Sequence, residues 1–173
     1  MLSWKRKKET RTSISYLEHE MQNLKEQNHK LSSENRKLLH IFNQLVNLTK
    51  DNQNIRLMGI DYEKGNLSFT YLHRNAIYVC EAFESHPATA LFFDIIENGK
   101  EKCLFIQDIQ SRVIGKGYGK VAMKHLFTIA NENRINLIVG KEYYTDTENR
   151  NRQHKFYSSL GFTKNGSRWE KRL

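Results

Sequence analysis

Proline occurs once in 173 residues, at Pro87, and no glycine precedes Gly59. The N-terminal third therefore lacks both residues that break a helix most effectively. There are two cysteines, Cys80 and Cys103, in apolar runs with no CxxC or Cys/His spacing. That excludes a disulfide scaffold and a zinc ligand set, so we expect no metal and read both thiols as buried and free, as in a reducing compartment. No apolar run reaches the roughly 18 residues of a membrane span. The basic start "MLSWKRKKETRTS" is not followed by the apolar segment of a signal peptide, so a soluble, cytoplasmic protein is expected. Acidic residues are also in short supply, 19 against 28 lysines and arginines, for a formal net charge of +9. An excess of that size suits an anionic partner: nucleic acid, an anionic surface or a phosphate-bearing cofactor.

What is present first is a period. Leu17, Leu24, Leu31, Leu38 and Leu45 recur every seven residues, and Ile14, Met21, Asn28, Asn35 and Phe42 stand three positions before each. These are the d and a positions of a coiled coil over 14–48, a helix of roughly 50 Å. Asparagines facing each other at Asn28 and Asn35 fix register and favour a parallel dimer, and Glu20 lies opposite the partner's Lys25 in that arrangement. Leu39 and Ile41 widen the apolar face near the end, so residues 38–48 are expected to pack on the following domain as well. Residues 1–13 form a basic tip, with Lys5, Arg6, Lys7, Lys8 and Arg11 against Glu9. A basic segment leading into a zipper is also a DNA-binding arrangement, but this one is short and has no asparagine-bearing base-reading segment. We read it as a solvated end that supports weak nucleic-acid binding at most.

The polar segment 49–54, "TKDNQN", reads as a linker, and 55–173 as one domain. Runs rich in β-branched and aromatic residues, "IRLMGIDY", "NLSFTYLH", "AIYVCEAF", "ATALFFDIIE" and "CLFIQDIQ", are joined by turn-forming residues and predict an antiparallel meander. "GKVAMKHLFTIANEN" has apolar residues at helical spacing, "INLIVG" is a short strand, "TENRNRQHKFYSSLGF" is a helix stopped by Gly161, and "SRWEKRL" is a last strand. The expected fold class is α+β: a mixed, mainly antiparallel sheet with two helices, preceded by a long coiled-coil helix.

Gly115, Gly117 and Gly119 crowd the passage from strand to helix. Such a loop turns several backbone N–H groups toward one point at the positive end of a helix, where a pyrophosphate fits, and Lys116 and Lys120 add charge at the rim. GxxxxGK[ST] is absent, and the glycines give GxGxG rather than GxGxxG. The stretch "RVIGKGYGK" does resemble the acyl-CoA-binding loop (Q/R)xxGx(G/A) of the GNAT family of N-acetyltransferases. Two registers fit: Arg112 with Gly115 and Gly117, or Ile114 with Gly117 and Gly119, the second favoured by the expected helix start. "KFYSSLGF", residues 155–162, resembles a second block of that family.

The resemblance implies an acetyl-CoA-dependent N-acetyltransferase with acetyl-CoA as co-substrate, wedged between "CLFIQDIQ" and "INLIVG". It places pantetheine against the backbone of Ile109, Gln110 and Ser111, and pyrophosphate on residues 114–119, which include Ile114 and Tyr118. It implies Tyr157 as general acid, and Asp108 or Glu142 is the candidate base. Where the family has an asparagine before its last helix this chain has Arg150, flanked by Asn149 and Asn151, the remaining cofactor candidates; Arg150, Arg152 and Lys155 could also meet the 3′-phosphate of the cofactor. The two helices that wall the family's acceptor site have no counterpart in 55–110, so the amine acceptor stays undefined. The alternative is a scaffold or nucleic-acid-associated regulator with little catalysis. If the seam forms, Asn28→Lys with Leu31→Lys should sediment as a monomer beside a dimeric wild type; an unchanged dimer would refute it.

Overall fold

The computed structural model describes residues 2–51, 54–63, 65–84, 86–98, 101–142 and 146–173, and the side chains of all of these except 2–15, 51, 63 and 98. Helix α1 spans Leu2–Asp51. It exceeds the heptad stretch at both ends, because nothing in the flanking sequence breaks a helix. Its backbone runs through the basic tip, whose side chains lie outside the described residues. It also takes in the first half of the segment 49–54, of which 52–53 lie outside them. The Thr49 hydroxyl donates to Leu45 O and Val46 O, at 3.0 Å each, within the last turns.

Two compact units divide inside this helix, after Asn43. In the first, Leu17, Met21, Leu24, Leu31, Leu38 and Phe42 of the heptad positions are exposed, whereas Ile41 is buried. The second begins at Gln44, so residues 44–51 belong to the same unit as the sheet. There Gln44 Nε2 donates to Glu84 O at 2.8 Å.

The second unit holds strands β1 (Ile55–Glu63), β2 (Asn66–His73), β3 (Ala76–Glu81), β4 (Thr89–Asn98) and β5 (Glu101–Ser111), then helix α2 (Tyr118–Glu132), β6 (Leu137–Lys141), helix α3 (Thr147–Ser159), β7 (Thr163–Asn165) and β8 (Arg168–Arg172). They form one sheet of order β1-β2-β3-β4-β5-β6-β8-β7. Among the described strands only β5 and β6 pair in parallel, and the crossover that connects them is α2. The meander, both helices and the closing strand follow the expected pattern. The three-residue β7 was not expected: all its residues are exposed, so it carries no apolar alternation.

Alternation along the strands assigns the two faces. Ile77, Val79, Leu91, Phe93, Leu104 and Ile106 are buried in one cluster with Val121, Ala122, Leu126 and Ile129 of α2. Each valine, leucine, isoleucine or phenylalanine among them contributes about 1.5–3 kcal/mol on burial. The opposite face carries an aromatic ladder. Tyr71 stacks on Phe69 at 6.2 Å and on Tyr78 at 5.0 Å, and Tyr78 meets Phe92 edge-on at 6.3 Å.

The edge strand β1 is tied to α2 by charge. Asp61 accepts from Lys124 Nζ at 2.6 Å and pairs with His125 Nε2 at 2.8 Å. Gly59 makes room: a Cβ there would lie 3.0 Å from His125 Cε1. Burial pushes the Asp61 carboxyl up, but the hydrogen bonds from Lys124 and His125 outweigh it and hold it below its ordinary value. A carboxylate with a lowered folded pKa adds stability that is complete above about pH 4 and is lost as pH falls through that lowered value. Asp61→Asn should therefore unfold at less urea than wild type at pH 7, with the gap shrinking toward pH 3. A gap independent of pH would contradict this.

Candidate active site

The parallel ladder between β5 and β6 is short. It pairs Cys103 with Leu137, Leu104 with Ile138, Phe105 with Val139 and Ile106 with Gly140, and there it ends. Among the described residues β5 continues to Ser111 with no ladder partner on that side, and β6 stops at Lys141. The register against β4 slips at the same level: Phe93 pairs with Ile106 and Phe92 with Asp108, so Gln107 is an extra residue in β5. A bulge bends its strand and increases its twist, and this one lies where β5 leaves β6.

A cavity of about 660 Å³ occupies the opening, within the range of small-molecule sites. One wall is β5 from Ile106 to Ile109 with Ser111, another is α3 with Gln153, Phe156 and Tyr157, and the far end is the loop Val113–Gly119 with the start of α2. Gly115 and Gly117 have φ of 86° and 91°, a conformation that side chains oppose. These are the glycines of the register led by Arg112. Gly119 is helical, and a Cβ there would meet the Phe156 ring at 3.1 Å, so its smallness serves packing between the two helices. Gly117 caps α2 without a side-chain bond, and Lys120 N and Val121 N both donate to Gly117 O. The N–H groups of Tyr118 and Gly119 precede any intrahelical acceptor and stand at the positive helix end.

Tyr157 is buried at the apex. A Cβ on Gly140 would lie 2.7 Å from its hydroxyl, so the ring reaches over the last residue of the parallel ladder. The ring stacks on Trp169 at 5.5 Å and meets Phe162 edge-on at 5.1 Å. Burial first, then the negative charge of Asp108, raises the Tyr157 phenol above its ordinary value, so it is protonated throughout the neutral range. Asp108 is exposed; its carboxylate accepts from Ile109 N at 2.8 Å and from Gln110 Nε2 at 2.9 Å.

The structure thus brings Asp108, Ile109, Ser111, Ile114, Gly115, Gly117, Tyr118, Gly119, Lys120, Asn149 and Tyr157 to one cavity. Gln110, Lys116, Glu142, Arg150 and Asn151 are not in its lining. Lys116 Nζ turns to Glu81 Oε1 at 2.8 Å. Glu142 Oε1 accepts from Lys164 Nζ and His154 Nε2, each at 2.8 Å, with Arg150 Nε at 3.8 Å. The hydrogen bond from Lys164, then that from His154, holds its carboxyl below the usual range despite some burial. Asn149 lines the cavity while bonding to the helix-capping Asp146 through both its backbone and side-chain nitrogens.

Among the described lining residues four are basic, Lys120, Lys141, Arg152 and Lys155, against one acid, Asp108. Lys141 and Phe156 did not stand out in the sequence. The signal for Phe156 was its place, one residue before Tyr157; the structure sets it against Gly119, the second residue of α2.

An α+β domain with one splayed parallel pair and a glycine loop leading into a helix at the splay is the class that fold and site define. No family model matches the sequence, and no curated protein matches it. Solved structures do. The anti-CRISPR protein AcrVA5 is 18% identical, over 48% of this chain and 88% of its own, with a TM-score of 0.40. A GNAT-family acetyltransferase from Listeria monocytogenes 4b F2365 is 14% identical, over 57% and 64%, with a TM-score of 0.44. YhhK from E. coli, solved with coenzyme A, is 19% identical, over 59% and 75%, with a TM-score of 0.42. The chain is similar in fold to these proteins; the reading of its site rests on the geometry above.

Gly140→Ala drives a Cβ into a tyrosine fixed by stacking, and overpacking of this kind costs about 1–3 kcal/mol. The urea midpoint of that variant should fall accordingly; an unchanged midpoint would show that Tyr157 moves aside without cost.

Proposed function

We propose that the chain is an acetyl-CoA-dependent N-acetyltransferase acting on an amine, joined in pairs through its N-terminal helix. The observation that carries this reading is the continuity of one cleft. Tyr157 stands at its apex, strand backbone with no ladder partner among the described residues lines its length, and a glycine-rich helix N-terminus with basic neighbours closes its end. A long thiol ester with a pyrophosphate toward its other end needs those features in that order. The residues present fit it: Tyr118 and Gly119 offer N–H groups to the pyrophosphate, and Lys120, Arg152 and Lys155 offer cations to the remaining phosphate.

Acetyl-CoA supplies an activated acyl group when bound. Tyr157, kept protonated, would donate to the departing sulfur. Asp108, exposed and accepting from the neutral donors Ile109 N and Gln110 Nε2, would take the proton of the attacking amine, directly or through one water. Glu142 suits that role less, because the cations around it lower its affinity for a proton. It serves instead to fasten β6, α3 and β7 through Lys164, His154 and Arg150.

The pairing rests on the exposed heptad seam. Leu17 and Leu31 are 61% and 56% exposed, a large apolar stripe for a chain on its own. The asparagine layers and the Glu20–Lys25 complementarity specify a second, parallel copy as its occupant. Among the described residues no helix is long and apolar enough to cross a membrane. With Cys80 and Cys103 free and buried, we place the protein in the cytoplasm.

Calorimetric titration of acetyl-CoA into the full chain tests the reading. Wild type should bind with micromolar affinity. Gly117→Trp should abolish binding, and Tyr157→Phe should bind as wild type while turnover with an acceptor amine falls. No heat with folded wild type would reject the enzyme and leave an interaction module built on the helix.

A further inference from the structure

The cleft depends on an extra residue staying in one place. A bulge can migrate along a ladder, and a one-residue slip turns every following side chain to the other face of the sheet. Asp108 pairs with Phe92, on the face of the aromatic ladder, and Ile109 pairs with Leu91, on the face covered by α2. Were the bulge lost, Asp108 would face the core and β5 would keep its course beside β6. Something has to hold Gln107 in place.

We propose that Asp94 is a positioning residue that pins the Gln107 bulge and thereby holds the cleft open. Gln107 Nε2 donates to Asp94 Oδ2, and Asn75 Nδ2 donates to Asp94 Oδ1 at 3.1 Å. Asn75 belongs to the tight turn between β2 and β3, which is itself tied to β4: Phe93 N donates to Asn75 O at 3.0 Å. Its neighbour Arg74 has a φ of 54°, so the turn keeps a conformation unfavourable for a long side chain. The brace joins three consecutive segments of the sheet at the level where the parallel ladder ends.

The chemistry explains why a carboxylate stands there. Two amide NH₂ groups need two acceptors, and an ionised carboxylate offers only acceptors, whereas an amide offers one acceptor and one donor. Both bonds are charge-assisted and stronger than their neutral equivalents. Asp94 does not line the cavity, so it acts through Gln107 and the course of β5 rather than on a bound molecule.

The consequence for acetyl-CoA rests on the acetyltransferase reading; the pin itself does not. The experiment compares wild type, Asp94→Asn, and Asp94→Asn with Gln107→Glu in the full chain. In Asp94→Asn two donors compete for one acceptor. The double variant restores the pair with its direction reversed, the introduced amide on β4 now donating to the introduced carboxylate on β5. Amide hydrogen exchange over Asp108–Ser111 is read without ligand, acetyl-CoA affinity by calorimetry, and folding by thermal melting.

We expect exchange in that segment to quicken and affinity to fall about five- to tenfold in Asp94→Asn, the scale of the difference between a charge-assisted and a neutral hydrogen bond. The double variant should recover both. Wild-type exchange over Asp108–Ser111 in a folded Asp94→Asn would overturn the proposal, as would a double variant that behaves like the single one. If wild type binds no acetyl-CoA, the enzyme reading fails, and the exchange comparison alone still decides the pin.

Discussion

The last backbone pair of the parallel ladder, Ile106 with Gly140, is the constraint on which the rest of the domain depends. Below it the sheet is continuous and its core is packed on α2. Above it, β5 and β6 diverge and a cavity takes the place of ladder hydrogen bonds. Gly140 has to be a glycine because Tyr157 occupies the space of its side chain, and Tyr157 is fixed there by Trp169 and Phe162. Backbone divergence, a missing Cβ and a stacked phenol meet at one point. That makes the apex the best-defined position in the site.

The excess positive charge is distributed by role. Lys124 is spent on Asp61, Lys116 on Glu81 and Lys164 on Glu142, where each fastens one element to another. Lys120, Lys141, Arg152 and Lys155 gather around the cavity instead. The acids are divided in the same way. Asp61 and Glu142 are held below their ordinary range by their hydrogen-bonded lysine and histidine partners, while Asp108 accepts from the neutral donors Ile109 N and Gln110 Nε2 at the opening. A net charge read from composition contains none of this division.

The legible parts of the sequence were those set by local rules. Runs of β-branched and aromatic residues in "AIYVCEAF" and "CLFIQDIQ" marked strands, the spacing of Val121, Leu126 and Ile129 marked a helix, and Gly161, with a φ of 76°, marked the end of α3. The glycine loop and Tyr157 were visible because their residue types are unusual in their surroundings. β7 had no apolar alternation to reveal it. Lys116 looked like a rim cation by its place among glycines and turned out to be paired with Glu81, 35 positions away in the chain. Nothing local to Gln107 signals a bulge, since the slip exists only relative to β4.

The sequence by itself determined which segments other than β7 are helix and strand, where the glycine turn falls, and that the N-terminal segment is one long helix. Periodicity, backbone propensity and the absence of breakers act over a few residues and need no partner. Only the tertiary structure decided where β5 parts from β6, which lysines reach the cleft, and why residue 140 has no side chain. These depend on register between strands and on the approach of side chains distant in sequence, and a backbone slip of one residue would reassign them all.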